Sequence, residues 1–277
     1  MTVTSAIKLK LKNIKHIALD MDGTIYNGST LFPFTIAFLN YLKEHRIGYS
    51  FLTNNPSKST DDYLRYLGKM GISATKEELY TSALATIDYL KSKHPQFKRL
   101  FILGTPSMIK EFEEAGFIST EDNAEDRPDA VIVGFDTSLV YTRLCRAAYW
   151  IAQQMTYIAT NPDWVCPTDQ PNILVDCGSI CACLKGATNR EPDVVIGKPD
   201  PRMLAGILHR YHLQPSEIAM VGDRIYTDVQ MAKNANALGI LVLSGEARMT
   251  DVEQSAIKPD IVTEDLAGLQ YLMSQSH

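Results

Sequence analysis

Tryptophan is scarce, with 2 residues in 277, and cysteine is limited to 5. No apolar run approaches the roughly 20 residues that span a bilayer, which excludes a transmembrane helix and a membrane partner of that kind. The N-terminus lacks the apolar core and small-residue cleavage site of a signal peptide. With an odd number of cysteines at least one cannot pair internally, so reduced thiols and a cytoplasmic location are expected. An excess of positive charge is also missing. Lys and Arg number 27 against 32 Asp and Glu, a net charge of −5, which argues against a nucleic acid polymer as partner. The one concentrated basic stretch, Lys8, Lys10, Lys12 and Lys15, is expected to be a solvated arm leading into the first strand. There is no internal repeat and no low-complexity segment.

What is present is ordinary globular material, 45% hydrophobic and 21% charged. Short apolar runs alternate with helical patterns, the signature of a parallel α/β sheet. His16-Ile17-Ala18-Leu19 leads into Asp20-Met21-Asp22-Gly23-Thr24. A helix follows with Phe34, Ala37, Phe38, Tyr41 and Leu42 on one face. Tyr49-Ser50-Phe51-Leu52 leads into Thr53-Asn54-Asn55-Pro56, and the next helix carries Tyr63, Leu67 and Met70. In the middle, strands are expected at Leu100–Leu103, Ala130–Val133 and Tyr157–Ala159. A helix over about 139–155 presents Val140, Leu144, Ala147, Ala148, Ile151 and Met155, and a polar loop runs from Thr160 to Asn172. The C-terminal part resumes with Val194-Val195-Ile196 before Gly197-Lys198-Pro199-Asp200. Ile218–Val221 comes before Gly222-Asp223, with a helix after Asp228.

Open α/β sheets bind ligands outside the carboxyl ends of their strands. If these strands share one sheet, Asp20, Asp22, Thr53, Lys198 and Asp223 converge there. Clustered carboxylates repel unless a cation neutralises them, and hard oxygen ligands suit Mg²⁺ together with a substrate phosphate. Lys198 suits a phosphoryl oxygen, and the Thr53 hydroxyl and main-chain N–H groups around Asn54 can donate to phosphate. A carboxylate can attack phosphorus, and a second one two residues on can protonate the leaving alcohol and then activate water. Each piece alone has a plainer reading: Asp20–Thr24 as a turn, Thr53–Pro56 as a helix start, Gly197–Asp200 as a turn with a solvated lysine, Asp228 as a helix cap. Their order and shared position at strand ends favour the chemistry.

Asp20-Met21-Asp22-Gly23-Thr24, Thr53-Asn54-Asn55, Gly197-Lys198-Pro199 and Gly222-Asp223-Arg224-Ile225-Tyr226-Thr227-Asp228 resemble the four motifs of the haloacid dehalogenase superfamily, in the order found in its NagD-like, p-nitrophenylphosphatase branch. The resemblance spans nearly the whole chain. It implies a Rossmann-like three-layer α/β core with a parallel sheet, built from residues 1–81 and 186–277, and an inserted α/β cap over 82–185. It implies a phosphatase acting on a small phosphate ester such as a nucleotide or sugar phosphate, with Asp20 as nucleophile and Asp22 as general acid and base. Thr53, Asn54 and Lys198 would bind the phosphoryl group. Asp20, the carbonyl of Asp22 and Asp223 would hold Mg²⁺, and Asp228 would orient a metal-bound water or Lys198. The loop Thr160–Trp164 resembles the family's cap loop that faces the active site, with Asn161 and Asp163 as candidates for substrate specificity, and a homodimer through the cap is implied. A phosphotransferase on the same intermediate and a non-catalytic binding protein remain the alternatives. Cys166, Cys177, Cys181 and Cys183 lack zinc-knuckle spacing and read as buried small hydrophobes, and His209 and His212 read as surface residues.

Overall fold

The structure, a computed structural model, describes residues 5–168 and 171–276. By contacts the chain divides into two compact units. One comprises Met1–Thr53, Leu67–Tyr80 and Lys198–His277, the other Asn54–Tyr66 and Thr81–Gly197. Among the described residues no helix is long and apolar enough to cross a membrane.

The first unit is built on a six-stranded sheet. Its order is Ile261–Thr263, Leu238–Val242, Ile218–Gly222, His16–Asp20, Gly48–Thr53 and Leu79–Thr81, with parallel ladders from the Ile261 strand through the Gly48 strand. The central strands are buried along their whole length, which is why they read as continuous apolar runs rather than alternating ones. From the His16 strand the chain steps to one side, and from the Ile218 strand it steps to the other. Right-handed crossovers therefore place Thr35–Glu44 and Gln230–Asn234 on opposite faces, giving three layers.

The second unit has a five-stranded parallel sheet in the order Val194–Val195, Thr156–Ala159, Ala130–Val133, Arg99–Leu103 and Ile118–Ser119. Helices Tyr141–Ala152 and Cys177–Thr188 cover it through Ala147, Trp150, Ile151, Ile180 and Leu184.

Several expectations are corrected. Val194–Val195 belongs to this second sheet, paired with Ile158 and Ala159, not to the sheet that carries Asp20. The basic arm has its lysines exposed, as expected, but it is a helix, Ser5–Lys12, with Leu11 buried. Lys10 pairs with Asp260 at 2.7 Å and Lys15 with Glu217 at 2.5 Å, so the positive stretch is partly neutralised. In helix Thr35–Glu44 the buried face is Thr35, Phe38, Leu39, Tyr41 and Leu42, while Ala37, with little surface to hide, is exposed. Val140 is half-exposed because it precedes helix Tyr141–Ala152 in extended conformation and is not on its face. The loop expected over Thr160–Asn172 is interrupted by Val165–Cys166, which pairs antiparallel with Leu174–Val175. Residues 169 and 170 of that loop lie outside the described residues. Cys177 and Cys181 are buried as expected, but Cys183 is exposed and Cys166 only half-buried.

His16 opens the strand that carries Asp20. It is 2% exposed, its Nε2 lies 2.8 Å from Ser50 Oγ, and its ring packs 4.4 Å from that of Tyr211. Burial lowers its pKa to about 4. The unfolded chain then binds the extra proton first, so the neutral ring contributes stability that is complete above the unfolded pKa. That contribution drains away as pH falls towards the folded value. The expected loss between pH 7 and pH 5 is about 2 kcal/mol from this residue. Denaturant midpoints of the wild type and His16→Gln at both pH values check it, and an unchanged pH dependence in the variant would refute it.

Candidate active site

Asp20 closes its strand opposite Leu52, so Thr53, the last residue of the neighbouring strand, lies one position beyond it. On the other side Leu19 pairs with Val221, and Gly222 closes that strand, which delivers Asp223 just past the sheet. The chain departs from the His16 strand in one direction and the Ile218 strand flanks it in the other. This edge is thus a topological switch point, where open α/β sheets hold ligands.

Lys198 reaches the same edge although its preceding strand lies in the other sheet. It is 4% exposed, donates to Asp20 Oδ1, and donates to Asp228 Oδ1 at 2.7 Å. Burial pulls its pKa down, but the two facing carboxylates outweigh that and hold the ammonium above its ordinary value. Asp228 does not cap a helix that starts after it. It sits inside a π-helical turn, Ile225–Val229, and the N–H of Arg224 donates to its Oδ2 at 3.1 Å. Both oxygens of Asp228 are therefore engaged.

Asp223 differs. Its Oδ2 accepts from the N–H of Glu246 at 2.7 Å, while Oδ1 is buried without a hydrogen-bond partner. Burial, and then the charges of Asp20 and Asp228, push its carboxyl up to about 7. Burial, against the pull of Lys198, raises Asp228 to about 6. Carboxylate oxygens of Asp20, Asp223 and Asp228 lie within 4.8 Å of one another, three acids facing one ammonium. An unsatisfied buried acceptor costs about 1–3 kcal/mol. A hard divalent cation fits this donor set, because it supplies the missing partner of Oδ1 and the missing positive charge.

Gly23 is required here on two counts. Its φ is +85°, and a Cβ at this position would collide with the Asp223 carboxylate. The turn it makes, with its N–H donating to the Tyr26 carbonyl at 2.7 Å, presents Asp22 half-buried. It then continues into a hairpin that pairs Tyr26–Asn27 with Thr30–Leu31. The N–H of Gly28 lies 3.4 Å from Asp22 Oδ1.

A haloacid dehalogenase-like hydrolase model matches residues 17–118, and a HAD-hydrolase-like model matches residues 195–269. The ribonucleotide monophosphatase NagD of Escherichia coli K12 is 30% identical over 94% of this chain and 99% of its own length. The chain belongs to the haloacid dehalogenase-like hydrolases. Within that family it is a NagD-like phosphatase, a phosphoric monoester hydrolase, as its motifs imply. Among solved structures, the 4-nitrophenylphosphatase of Thermotoga maritima is 38% identical with a TM-score of 0.89, over 95% of this chain and 98% of that one. A glycerol phosphate phosphatase of Mycobacterium tuberculosis, solved in complex with magnesium, is 29% identical with a TM-score of 0.86, over 94% and 78%.

The remaining expected site residues of the hydrolase lie in its second unit. Asn54, buried, donates through its amide to Asp163 Oδ2 at 2.8 Å, and its carbonyl accepts from Ser82 Oγ at 2.6 Å. Asn161 is completely buried and Asp163 half-buried. Three contributors escaped the sequence reading. The N–H of Glu246 holds Asp223. Arg224 Nε lies 2.9 Å from Glu246 Oε2, an ion pair without hydrogen-bond alignment. Asp176 binds Asn161 and caps helix Cys177–Thr188. Only Asp176 left a trace in the sequence, as an acidic residue directly before a helix start.

Proposed function

We propose that this hydrolase cleaves small-molecule phosphate monoesters with Mg²⁺ through an aspartyl phosphate on Asp20. The observation that carries the reading is the buried, unpartnered Oδ1 of Asp223 beside an Asp20 carboxylate already held by Lys198. The resemblance of the motifs and the phosphatase relatives support it. Asp20 attacks phosphorus, forming an acyl phosphate bond as the P–O bond to the leaving group breaks. Asp22, two residues on in a turn fixed by Gly23, gives its proton to the leaving oxygen. It then takes a proton from water as that water attacks the aspartyl phosphate, so that Asp20 returns as a carboxylate and orthophosphate leaves. Lys198 fixes the rotation of the Asp20 carboxylate and offsets negative charge on the phosphoryl oxygens, with the Thr53 hydroxyl and the main chain at Asn54 as further donors. Asp20, the carbonyl of Asp22 and Asp223 would hold Mg²⁺, which when bound withdraws charge from the phosphoryl oxygens as a Lewis acid. Asp228, with both oxygens engaged, holds Lys198 in place.

Hydrolysis of p-nitrophenyl phosphate beside a panel of nucleotide, sugar and glycerol phosphates tests this. Activity should be lost in a chelator and restored by Mg²⁺. Indifference to chelation would remove the metal, and turnover of none of these esters would overturn the substrate class.

A further inference from the structure

The second unit is entered at Asn54, bonded to Thr53, and left at Gly197, bonded to Lys198. Both residues are tied to the segment around the buried Asn161, Asn54 through Asp163 and Gly197 through the Thr160 carbonyl. Its amide nitrogen donates to Asp163 Oδ2 at 3.0 Å and to Asp176 Oδ1 at 2.9 Å, and its Oδ1 accepts from Thr160 Oγ1 at 2.9 Å. Every hydrogen-bonding atom of the amide is thus engaged, and its orientation is fixed. Asp163 Oδ2 accepts a second time, from Asn54. Gly197 donates from its N–H to the Thr160 carbonyl at 2.8 Å. A Cβ on Gly197 would stand 2.8 Å from the Asn161 Cα and 2.9 Å from Asn54 Oδ1, too close for any other residue. Asp176 is anchored in turn, its Oδ1 accepting from the N–H of Cys177 at 2.5 Å at the head of helix Cys177–Thr188. Two carboxylates bridged by one buried amide, one of them, Asp176, itself buried, are costly to assemble for packing alone, since apolar side chains of the same volume would fill the space without that cost.

We infer that Asp163, Asn161 and Asp176 are positioning residues for phosphoryl binding. The network clamps the two points at which the chain passes to Thr53 and to Lys198, and so fixes the two segments that donate to the phosphate. The inference rests on the phosphatase reading and deepens it. It places the action of Asn161 on the phosphoryl group common to all substrates rather than on the leaving group. A misplacement of about 1 Å in such donors costs up to about a hundredfold.

The test separates the two roles with a ligand that has no leaving group. Inhibition of p-nitrophenyl phosphate hydrolysis by orthophosphate is measured in saturating Mg²⁺ for the wild type, Asp163→Asn and Asn161→Ala, well below each variant's melting temperature. The expected result is a rise of ~10-fold or more in the orthophosphate Ki of both variants, with KM for structurally different esters raised by a common factor. A Ki within about twofold of wild type, whether melting temperature falls or not, would overturn the inference. In that case ester-dependent changes in KM would assign Asp163 to the leaving group. Should Asn161→Ala fail to fold, Asp163→Asn, which preserves volume at a half-buried site, decides alone. Failure of the phosphatase reading itself would appear separately, as absence of Mg²⁺-dependent turnover in the wild type.

Discussion

Asp20→Asn is expected to lower kcat by about 10⁴-fold or more, with the fold intact and melting temperature in chelator no lower than wild type. The amide has the same shape as the carboxylate and meets the same neighbours, but it is a poor nucleophile towards phosphorus, and the other two carboxylates of the cluster have other tasks. Asp228 has both oxygens engaged by Lys198 and Arg224, and Asp223 has one oxygen held by Glu246 while its buried Oδ1 is the one that would hold the metal. Stability is expected to hold because the substitution removes one of three mutually repelling acids from a buried cluster that contains a single ammonium. The loss of the Lys198 ion pair works the other way, but Lys198 keeps Asp228. Steady-state hydrolysis of p-nitrophenyl phosphate together with a melting curve checks both halves. Activity within about tenfold of wild type would remove Asp20 as nucleophile. Inactivity accompanied by a collapse in melting temperature would show that the ion pair outweighs the repulsion.

The parts of this site that were legible in the sequence are those where side-chain chemistry and local backbone coincide. Asp20 and Asp223 follow apolar runs that read as buried strands, and Gly23 reads as the turn after the first of them. What the sequence leaves open is which sheet a short strand joins. Val194-Val195-Ile196 is apolar enough for either, and it pairs with Ile158 and Ala159. Lys198 therefore arrives at Asp20 from the second unit and not from the end of a strand in the same sheet. The premise that all four motif strands share one sheet fails, yet Lys198 still bonds Asp20, and Asp223 lies in the same carboxylate cluster.

Contacts made by main-chain atoms leave no compositional trace. The hold of Glu246 on Asp223 comes from an N–H that any residue but proline could supply. Asp228 looked like a cap because an acid near the start of a helix usually is one. It lies instead inside a π-helical turn, where it accepts from Lys198, a partner 30 residues away. Asn161 and Asp163 read as part of a polar loop, with nothing in the sequence to show what they bond. Their partners Asp176 and Asn54 lie 15 and 109 residues from Asn161 and Asp163 respectively, distances at which no periodicity carries information.

Lys198→Met should destabilise the chelated protein by about 3–5 kcal/mol near pH 8, the cost of removing one partner from a buried charge cluster. Methionine fills nearly the same volume, so the loss reports charge and not a cavity. Lys198 is the cation to which Asp20 and Asp228 are both bonded, and at 4% exposure water cannot take its place. The deficit should shrink as pH falls. The carboxyls of Asp223 and Asp228 stand at about 7 and about 6 even with the lysine present, and without it they stand higher, so protonation relieves the repulsion before the rest of the protein is acid-stressed. Mg²⁺ should narrow the deficit as well, since a divalent cation neutralises the same acids. On the proposed mechanism activity should fall by about 10²–10³-fold even with Mg²⁺ saturating, because a bound metal would not replace Lys198 as a donor to the phosphoryl group. Denaturant unfolding at two pH values in chelator, followed by turnover in Mg²⁺, reads all of these. A deficit that does not change with pH would mean that the lysine acts through packing. Unimpaired turnover would mean that it serves the fold and not the phosphate.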